Sequence, residues 1–261
     1  MLILRPIILI LTLCFTSTSF AEITKINQSQ SKVISSNSFE ILVWNIYGGK
    51  KQGFENDFLS IVESYDFILL QEANLAKELE EVFIKTEPAW THATSFVWNN
   101  KKMGVSTGSN IKPSQSTRLL SKNRELGFTT RKTSLIQLYE ISGSKQQLMI
   151  VNTHAINFRG TDAYKQEVDQ ILDAIKSHSG PVIFAGDFNA WKQTRADYLV
   201  LQTKNMGFKE VSFQKQRTSS PFNKDLPLDR IFFKGLKLIS SDVLDQINSS
   251  DHLPLSAKFE F

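Results

Sequence analysis

Four short apolar runs each end in a polar side chain suited to metal or proton chemistry, and this recurrence constrains the fold more than any other feature of the chain. Ile41-Leu42-Val43-Trp44 leads into Asn45, and Phe67-Ile68-Leu69-Leu70-Gln71 leads into Glu72. Ile150-Val151-Asn152-Thr153 leads into His154, and Val182-Ile183-Phe184-Ala185-Gly186 leads into Asp187, with Asn189 two residues on. Two further runs have the reverse order, Asp229 preceding Ile231-Phe232-Phe233 and Asp251-His252 preceding Leu253-Pro254-Leu255. Runs this short, rich in β-branched and aromatic residues, suit strands rather than helices. In antiparallel neighbours the entrance of one strand lies beside the exit of the next, so all these polar groups can meet at one rim. Together they offer oxygen ligands for a hard cation and two imidazoles for phosphate chemistry.

Between the runs lie helical stripes: Phe54, Phe58, Ile61, Val62 and Tyr65; Leu75, Leu79, Val82 and Phe83; Tyr164, Val168, Ile171, Leu172 and Ile175. Their spacing is that of one buried helix face, and we assign them to core. Short turns in the second half, such as Lys234-Gly235, suggest antiparallel pairing with helices packed outside. The class that follows is α/β, a mixed sandwich. No internal repeat and no Pro/Gly/Ser linker divides the chain after residue 39, so residues 39–261 read as one domain.

The N-terminus is of a different kind. After Arg5, an apolar run over 6–15 is followed by a polar, small-residue stretch and by Phe20-Ala21, the pattern of a signal peptide cut after Ala21. The expected location is therefore periplasmic or secreted. An uncleaved membrane anchor is the alternative, but the run falls short of the roughly 20 residues that a spanning helix needs, so no transmembrane segment is expected in the mature chain. Lipoprotein attachment at Cys14 is disfavoured by Leu13 before it. Cys14 is the sole cysteine, which leaves a cleaved chain without disulfides, thiolate zinc sites or cysteine nucleophiles. Residues 22–38 are polar and lack a sustained period, as in a flexible arm. The net charge of +4 mildly favours an anionic substrate.

Taken singly, each polar group has an ordinary reading. Asp187-Phe188-Asn189 could cap a helix, Glu72 and Asp251 could be solvated turn residues, and His154 could be structural. Their recurrence at corresponding strand ends outweighs these. A second pattern, Gly104-Val105-Ser106-Thr107-Gly108 with Asp229 and His252 downstream, matches a nucleophile elbow in form. Asn99-Asn100-Lys101-Lys102 before it is no buried strand and Pro113 soon follows, which argues against a serine esterase.

Six strings in order carry a family resemblance: Leu42-Val43-Trp44-Asn45-Ile46, Leu70-Gln71-Glu72, Thr153-His154, Gly186-Asp187-Phe188-Asn189-Ala190, Leu228-Asp229 and Ser250-Asp251-His252-Leu253-Pro254. The chain resembles the endonuclease/exonuclease/phosphatase superfamily from about residue 40 to its C-terminus, and within it a short YafD-type bacterial branch. The resemblance implies a four-layered α/β sandwich of the DNase I-like kind, two mixed, largely antiparallel sheets flanked by helices. It implies hydrolysis of phosphate esters with Mg²⁺ or Mn²⁺ by in-line attack of water. By position, Asn45 and Glu72 would hold the metal, with Asp251 close by directly or through water. Asp187 would orient or deprotonate the water, positioned by Asn189; His252, held by Asp229, would polarise the phosphate. His154 would contact the phosphate or help protonate the leaving group, and Asn157 matches an asparagine found in some members. Whether Asp187 or His252 is the base stays open at this point.

For the substrate, nucleic acid is expected first, because Lys112, Arg118, Lys122, Arg124, Arg131 and Lys132 crowd a segment with only Glu125 opposing them. Arg118, Arg131 and Lys132 are the candidate backbone contacts; the competing reading is a solvated loop between strands. Phospholipid or inositol phosphate comes second, since the one candidate membrane hairpin, Phe96-Val97-Trp98, is short and reads better as a strand. A catalytically dead phosphate-binding module is the non-enzymatic alternative. No stable protein partner is implied.

Overall fold

The computed structural model describes residues 23–29, 31–125, 130–215, 217–219 and 223–261. The signal-peptide reading of residues 1–21 lies outside them. In chain order the elements are β1 (Ile23–Ile26), β2 (Val33–Ile34), β3 (Ser38–Asn45), α1 (Phe54–Ile61), β4 (Phe67–Leu75), α2 (Lys77–Ile84), β5 (Ala89–Trp98), β6 (Lys101–Ser109), β7 (Gln115–Leu120), β8 (Thr133–Ile141), β9 (Gln147–His154), α3 (Thr161–Ile175), β10 (Val182–Asp187), α4 (Gln193–Asn205), β11 (Lys209–Glu210), β12 (Asp229–Lys234), β13 (Lys237–Val243) and β14 (Leu255–Glu260).

The period-two alternation of the central strands sorts them into layers. On β3, Ile41 and Val43 point into a core shared with Ile150, Ile183, Ala185 and Ile231, so this core lies between two sheets. Leu42 and Trp44 on the same strand point the other way, onto Phe54 and Phe58 of α1 and Leu79, Val82 and Phe83 of α2. On β10, Ile183 and Ala185 enter the inter-sheet core, whereas Val182 and Phe184 pack on α3 and α4. Strands apolar on both faces are what a sheet covered on both sides requires. The result is helix, sheet, sheet, helix, the DNase I-like α/β sandwich.

Among the described residues one sheet runs β1-β5-β6-β4-β3-β14-β13 and the other β11-β12-β10-β9-β8-β2, with β7 also paired to β8. Each has a central parallel pair, β3 with β4 and β9 with β10, flanked by antiparallel neighbours, and the second sheet adds a short parallel edge pair, β2 with β8. The C-terminal ends of β3, β9 and β10 therefore deliver Asn45, His154 and Asp187, whereas Glu72 lies within β4, which runs on past it to Leu75. Asp187 lies opposite His154 on one side and opposite Asp229 on the other.

Three expectations are corrected. Within the arm expected over 22–38, Ile23–Ile26 and Val33–Ile34 are not free: β1 pairs with β5 and β2 with β8, so their backbone polar groups are used by sheet edges that the polar sequence did not announce. Lys234-Gly235 is not a hairpin turn. Its two strands, β12 and β13, belong to different sheets, and the turn carries the chain across the sandwich. The basic segment is not wholly a loop, since Gln115–Leu120 form β7 against β8. In addition, Leu75 ends β4 rather than opening α2, and α4 has no counterpart among the expected helices.

Candidate active site

The rim where the two sheets meet is fixed by backbone devices as well as by register. β4 carries a bulge within its pairing to β6, the register shifting between Leu70 and Ala73, and Glu72 sits in it with a left-handed φ of 52°. Such a bulge re-aims one side chain, and left-handed backbone costs a non-glycine residue about 1 kcal/mol. Gly186 has φ 140°, and a Cβ there would lie 1.9 Å from the Thr153 carbonyl oxygen. Only glycine lets β10 press against β9 immediately before Asp187. Asn189 is held in the left-handed region by its own contacts, donating from Nδ2 to the Ala155 carbonyl at 2.9 Å.

Asp187 is buried and held from two sides. Its Oδ1 accepts from the Asn189 backbone N–H at 2.9 Å and its Oδ2 from Asn45 Nδ2 at 3.0 Å. Beside it, His252 Nδ1 bonds Asp229 Oδ2 at 2.7 Å. Ligand atoms of Asp187, Asp229 and His252 all lie within 4.8 Å of one another. Burial alone would lower the His252 pKa, but the charge and hydrogen bond of Asp229, joined by Asp187 and Asp251, outweigh it and push it up to about 10. His252 is thus an imidazolium at neutral pH. Asp187 is pushed up from the ordinary carboxylate value, first by burial and then by Asp229, with His252 opposing. The strand-entrance loop that carries His252 is tethered to β3: Ser250 Oγ donates to the Asn45 carbonyl at 2.6 Å, and Trp44 Nε1 donates to the His252 carbonyl at 2.9 Å.

The second imidazole is of the opposite kind. His154 Nε2 lies 3.6 Å from Asp187 Oδ2 and 3.8 Å from Glu72 Oε1. It is 3.0 Å from Lys132 Nζ, an ammonium that can only donate, so Nε2 accepts there. Burial, then Lys132 and His252, hold its pKa well below the ordinary value, and it is neutral. A cavity of about 160 Å³ opens at this point, lined by Glu72, Lys132 and His154 on one side and Phe96 and Met103 on the other.

The structure brings together Asn45, Glu72, His154, Asp187, Asn189, Asp229 and His252, with exposed Asp251 beside them. Of the three basic candidates, Lys132 enters the cavity. Arg118 donates to the Thr94 carbonyl at 2.7 Å and does not line it, and the Arg131 carbonyl accepts from Ser95 Oγ. Asn157 contributes its backbone, its N–H donating to Glu125 and its carbonyl accepting from Arg195. The Gly-x-Ser-x-Gly string lies inside β6, where Ser106 is buried against His92 Nδ1 at 2.9 Å. A Cβ on Gly104 would lie 2.0 Å from the Ala93 carbonyl oxygen, so that glycine serves strand packing and no elbow exists.

Several supporting residues escaped sequence reasoning. Arg195 on α4 is buried and donates to the carbonyls of Ile156, Asn157, Arg159 and Asn189, tying the loop after His154 to the loop after Asp187. Buried Glu167 accepts from the Ile156 N–H at 2.6 Å, and its pKa is raised to about 8 by burial. Glu125 accepts from the N–H groups of Asn157 and Phe158. Charged residues at such positions read as surface, and no spacing signal marks them. Behind the rim, Gln71 Nε2 donates to Asn152 Oδ1 at 2.8 Å and Asn152 donates to the Ser106 carbonyl at 2.9 Å, a polar clamp between the sheets that leaves Gln71 Oε1 buried without a partner among the described residues.

For a cation, two donor sets are available. In the Asp187, Asp229 and His252 set, His252 Nδ1 is engaged with Asp229 Oδ2. Glu72 is 36% exposed on its side chain and has no Lys or Arg within salt-bridge distance among the described residues. Its carboxylate, the Asn45 carboxamide oxygen and Asp251 are hard oxygen donors of the kind Mg²⁺ and Mn²⁺ prefer, so the residues fit such an ion.

Comparison with known proteins bears on the family and the fold. Residues 42–252 match the family model described as Endonuclease/Exonuclease/phosphatase family. A UPF0294 protein of Yersinia pseudotuberculosis is 35% identical over 221 residues, covering 84% of this chain and 83% of that protein. Among solved structures, an endonuclease/exonuclease/phosphatase from Beutenbergia cavernae is similar with a TM-score of 0.68 at 14% identity, over 86% of this chain and 72% of that one. The human Nocturnin catalytic domain with bound sulfate is similar with a TM-score of 0.67 at 17% identity, over 92% of this chain and 97% of that one. At such identities the two structures bear on the fold alone.

Proposed function

Because the chain belongs to the endonuclease/exonuclease/phosphatase family, we propose that it is a divalent-metal-dependent phosphodiesterase acting on nucleic acid by in-line attack of water. The observation that carries this reading is Asp187, a carboxylate fixed from two sides and flanked by two imidazoles, His154 at 3.6 Å and His252 paired with Asp229 at 2.7 Å. Bound at Glu72 and Asn45, with Asp251 nearby, Mg²⁺ or Mn²⁺ supplies neutralisation of charge on the phosphate and on the leaving oxygen.

The chain's own groups divide the remaining work. Asp187 orients the water and takes its proton, since His252 already carries a proton at neutral pH and has no room for another. Its raised pKa makes it a stronger base than an exposed carboxylate. His252 keeps Nδ1 on Asp229 and offers its Nε2–H to a non-bridging phosphate oxygen, a donor pre-aimed at developing charge. Lys132, resting on His154, adds a cation and a donor for the leaving oxygen. Export to the periplasm or the medium is proposed from the N-terminal pattern; among the described residues no helix is long and apolar enough to cross a membrane.

The test is cleavage of plasmid DNA, RNA and sphingomyelin by the purified protein with Mg²⁺, Mn²⁺ or EDTA. Metal-dependent loss of nucleic acid supports the nuclease. Turnover of lipid alone would keep the site and move the substrate, and no turnover of anything would favour a binding module.

A further inference from the structure

The β5–β6 hairpin ends in a tight two-residue turn, Asn99-Asn100, with both residues at positive φ, 47° and 60°. This geometry matches the twist of the strands and makes the tip rigid. Across the hairpin Phe96 pairs with Met103 and Trp98 with Lys101. Directly opposed residues share a sheet face, as do residues two apart on a strand, so Phe96, Trp98, Lys101 and Met103 lie on one face. Lys102, on the other face, reaches back to Thr24 Oγ1 at 3.0 Å, as the alternation requires.

That face borders the catalytic cavity. Phe96 and Met103 line both the cavity beside Glu72 and a second one of about 360 Å³, whose other walls include Lys50, Asn74, Trp98 and Lys101. Lys50, Asn74 and Lys101 in turn line a third, of about 660 Å³, towards α1 and α2. Shared walls make this one groove leading away from Glu72. Trp98 is 67% exposed, an unusual position for so large an apolar ring. Lys50 and Lys101 make no ion pair among the described residues, and Lys50 Nζ lies 5.4 Å from the Tyr47 ring centroid.

We propose that this groove is a subsite for a single-stranded polynucleotide flank of the scissile phosphate, with Lys50 and Lys101 against its phosphates and Trp98 stacked on an unpaired base. The assignment rests on the phosphodiesterase reading and names its substrate class. An aromatic platform beside cations is the arrangement that single strands use, because a duplex hides its base faces. Insertion into a lipid surface is disfavoured by the hairpin's polar tip, Asn99-Asn100 followed by two lysines, which would have to enter the bilayer first.

The test is fluorescence anisotropy of a labelled oligothymidylate with the full protein in EDTA, where no diester is cut, so binding holds or fails independently of hydrolysis. Trp98→Ala is expected to weaken binding about tenfold, with Trp98→Phe recovering part of it. The Lys50→Ala/Lys101→Ala double variant should lower the slope of log K against log salt by about 1.4. Ile239→Ala, an exposed apolar residue on β13, should change neither. Affinity unaltered in the Trp98 and lysine variants, or no binding by the unaltered protein, would overturn the subsite. Trp98-dependent binding to phosphatidylglycerol vesicles without oligonucleotide binding would overturn it in favour of a lipid surface. If the diesterase assay fails while Trp98-dependent oligonucleotide binding persists, the catalytic reading falls and the groove stands.

Discussion

The two imidazole-carboxylate pairs of the rim are built to opposite specifications. His252 and Asp229 meet at 2.7 Å, both largely buried, with the charge on the ring. His154 and Glu72 stand 3.8 Å apart, the ring neutral and the carboxylate partly exposed on a left-handed bulge. In the first pair the charges are matched, although Asp229 Oδ1 is buried without a partner among the described residues; in the second the carboxylate has no Lys or Arg within salt-bridge distance among them. On the reading proposed above, one half of the rim has its charges matched by folding and the other would be completed by a ligand. The same sandwich would thus offer a preorganised cation to a phosphate and an oxygen site to a metal.

The largest expected effect tests the group between the two pairs. Asp187→Ala should lower the hydrolysis rate by about 10³-fold or more while circular dichroism and the melting curve show a folded protein. Retained activity would break the comparison at its centre. Next comes the matched pair: Asp229→Asn removes the partner of a buried imidazolium and should destabilise the fold by roughly 3 kcal/mol in urea unfolding. Glu72 should behave in the contrary way. Glu72→Gly relieves the left-handed backbone, so stability should stay level or rise by up to about 1 kcal/mol, whereas the metal concentration needed for half-maximal activity should rise about 10–100-fold.

A smaller effect concerns pH. The His252 pKa is raised on folding from its ordinary 6.5 to about 10. Its contribution to stability is therefore complete below about pH 6.5 and is lost as pH climbs through about 10. The protein should lose stability over that window more steeply than His252→Gln, and parallel curves would contradict the charged pair. Smallest of all, Ser106→Ala should cost about 1 kcal/mol of stability and leave hydrolysis intact; abolished activity would revive a serine esterase.

The parts of this contrast that the sequence made legible are those set by local pattern. Apolar runs with a period-two split, such as Ile41 to Trp44, can only be covered strands, and a polar residue at their end must emerge at a rim. What stayed hidden depends on long-range packing. Helix α4 buries Arg195 and Thr203 beside Ala196 and Leu199, so its stripe lacks the apolar continuity that marks a helix face. Strand β6 opens on Lys101, Lys102 and Met103, and its buried remainder, Gly104 to Ser109, is mostly small Gly, Ser and Thr residues without an apolar stripe. The Lys234-Gly235 turn has the same residues whether it closes a hairpin or crosses between sheets, and only the partners of β12 and β13 decide. Lys132 could be named from charge alone, but its place against His154 arises from the register of β8 on β9.

The central claim is that the Glu72 half of the rim takes a divalent cation and the His252 half holds the phosphate. Its most direct test is hydrolysis of bis-p-nitrophenyl phosphate across a titration of Mg²⁺ and Mn²⁺, with EDTA as the zero point, comparing the unaltered protein with Glu72→Gln and His252→Gln. The account predicts no turnover in EDTA, a rightward shift of the metal curve for Glu72→Gln, and a lower plateau without a shift for His252→Gln. Turnover that survives EDTA, or a metal curve shifted by His252→Gln and untouched by Glu72→Gln, would contradict it.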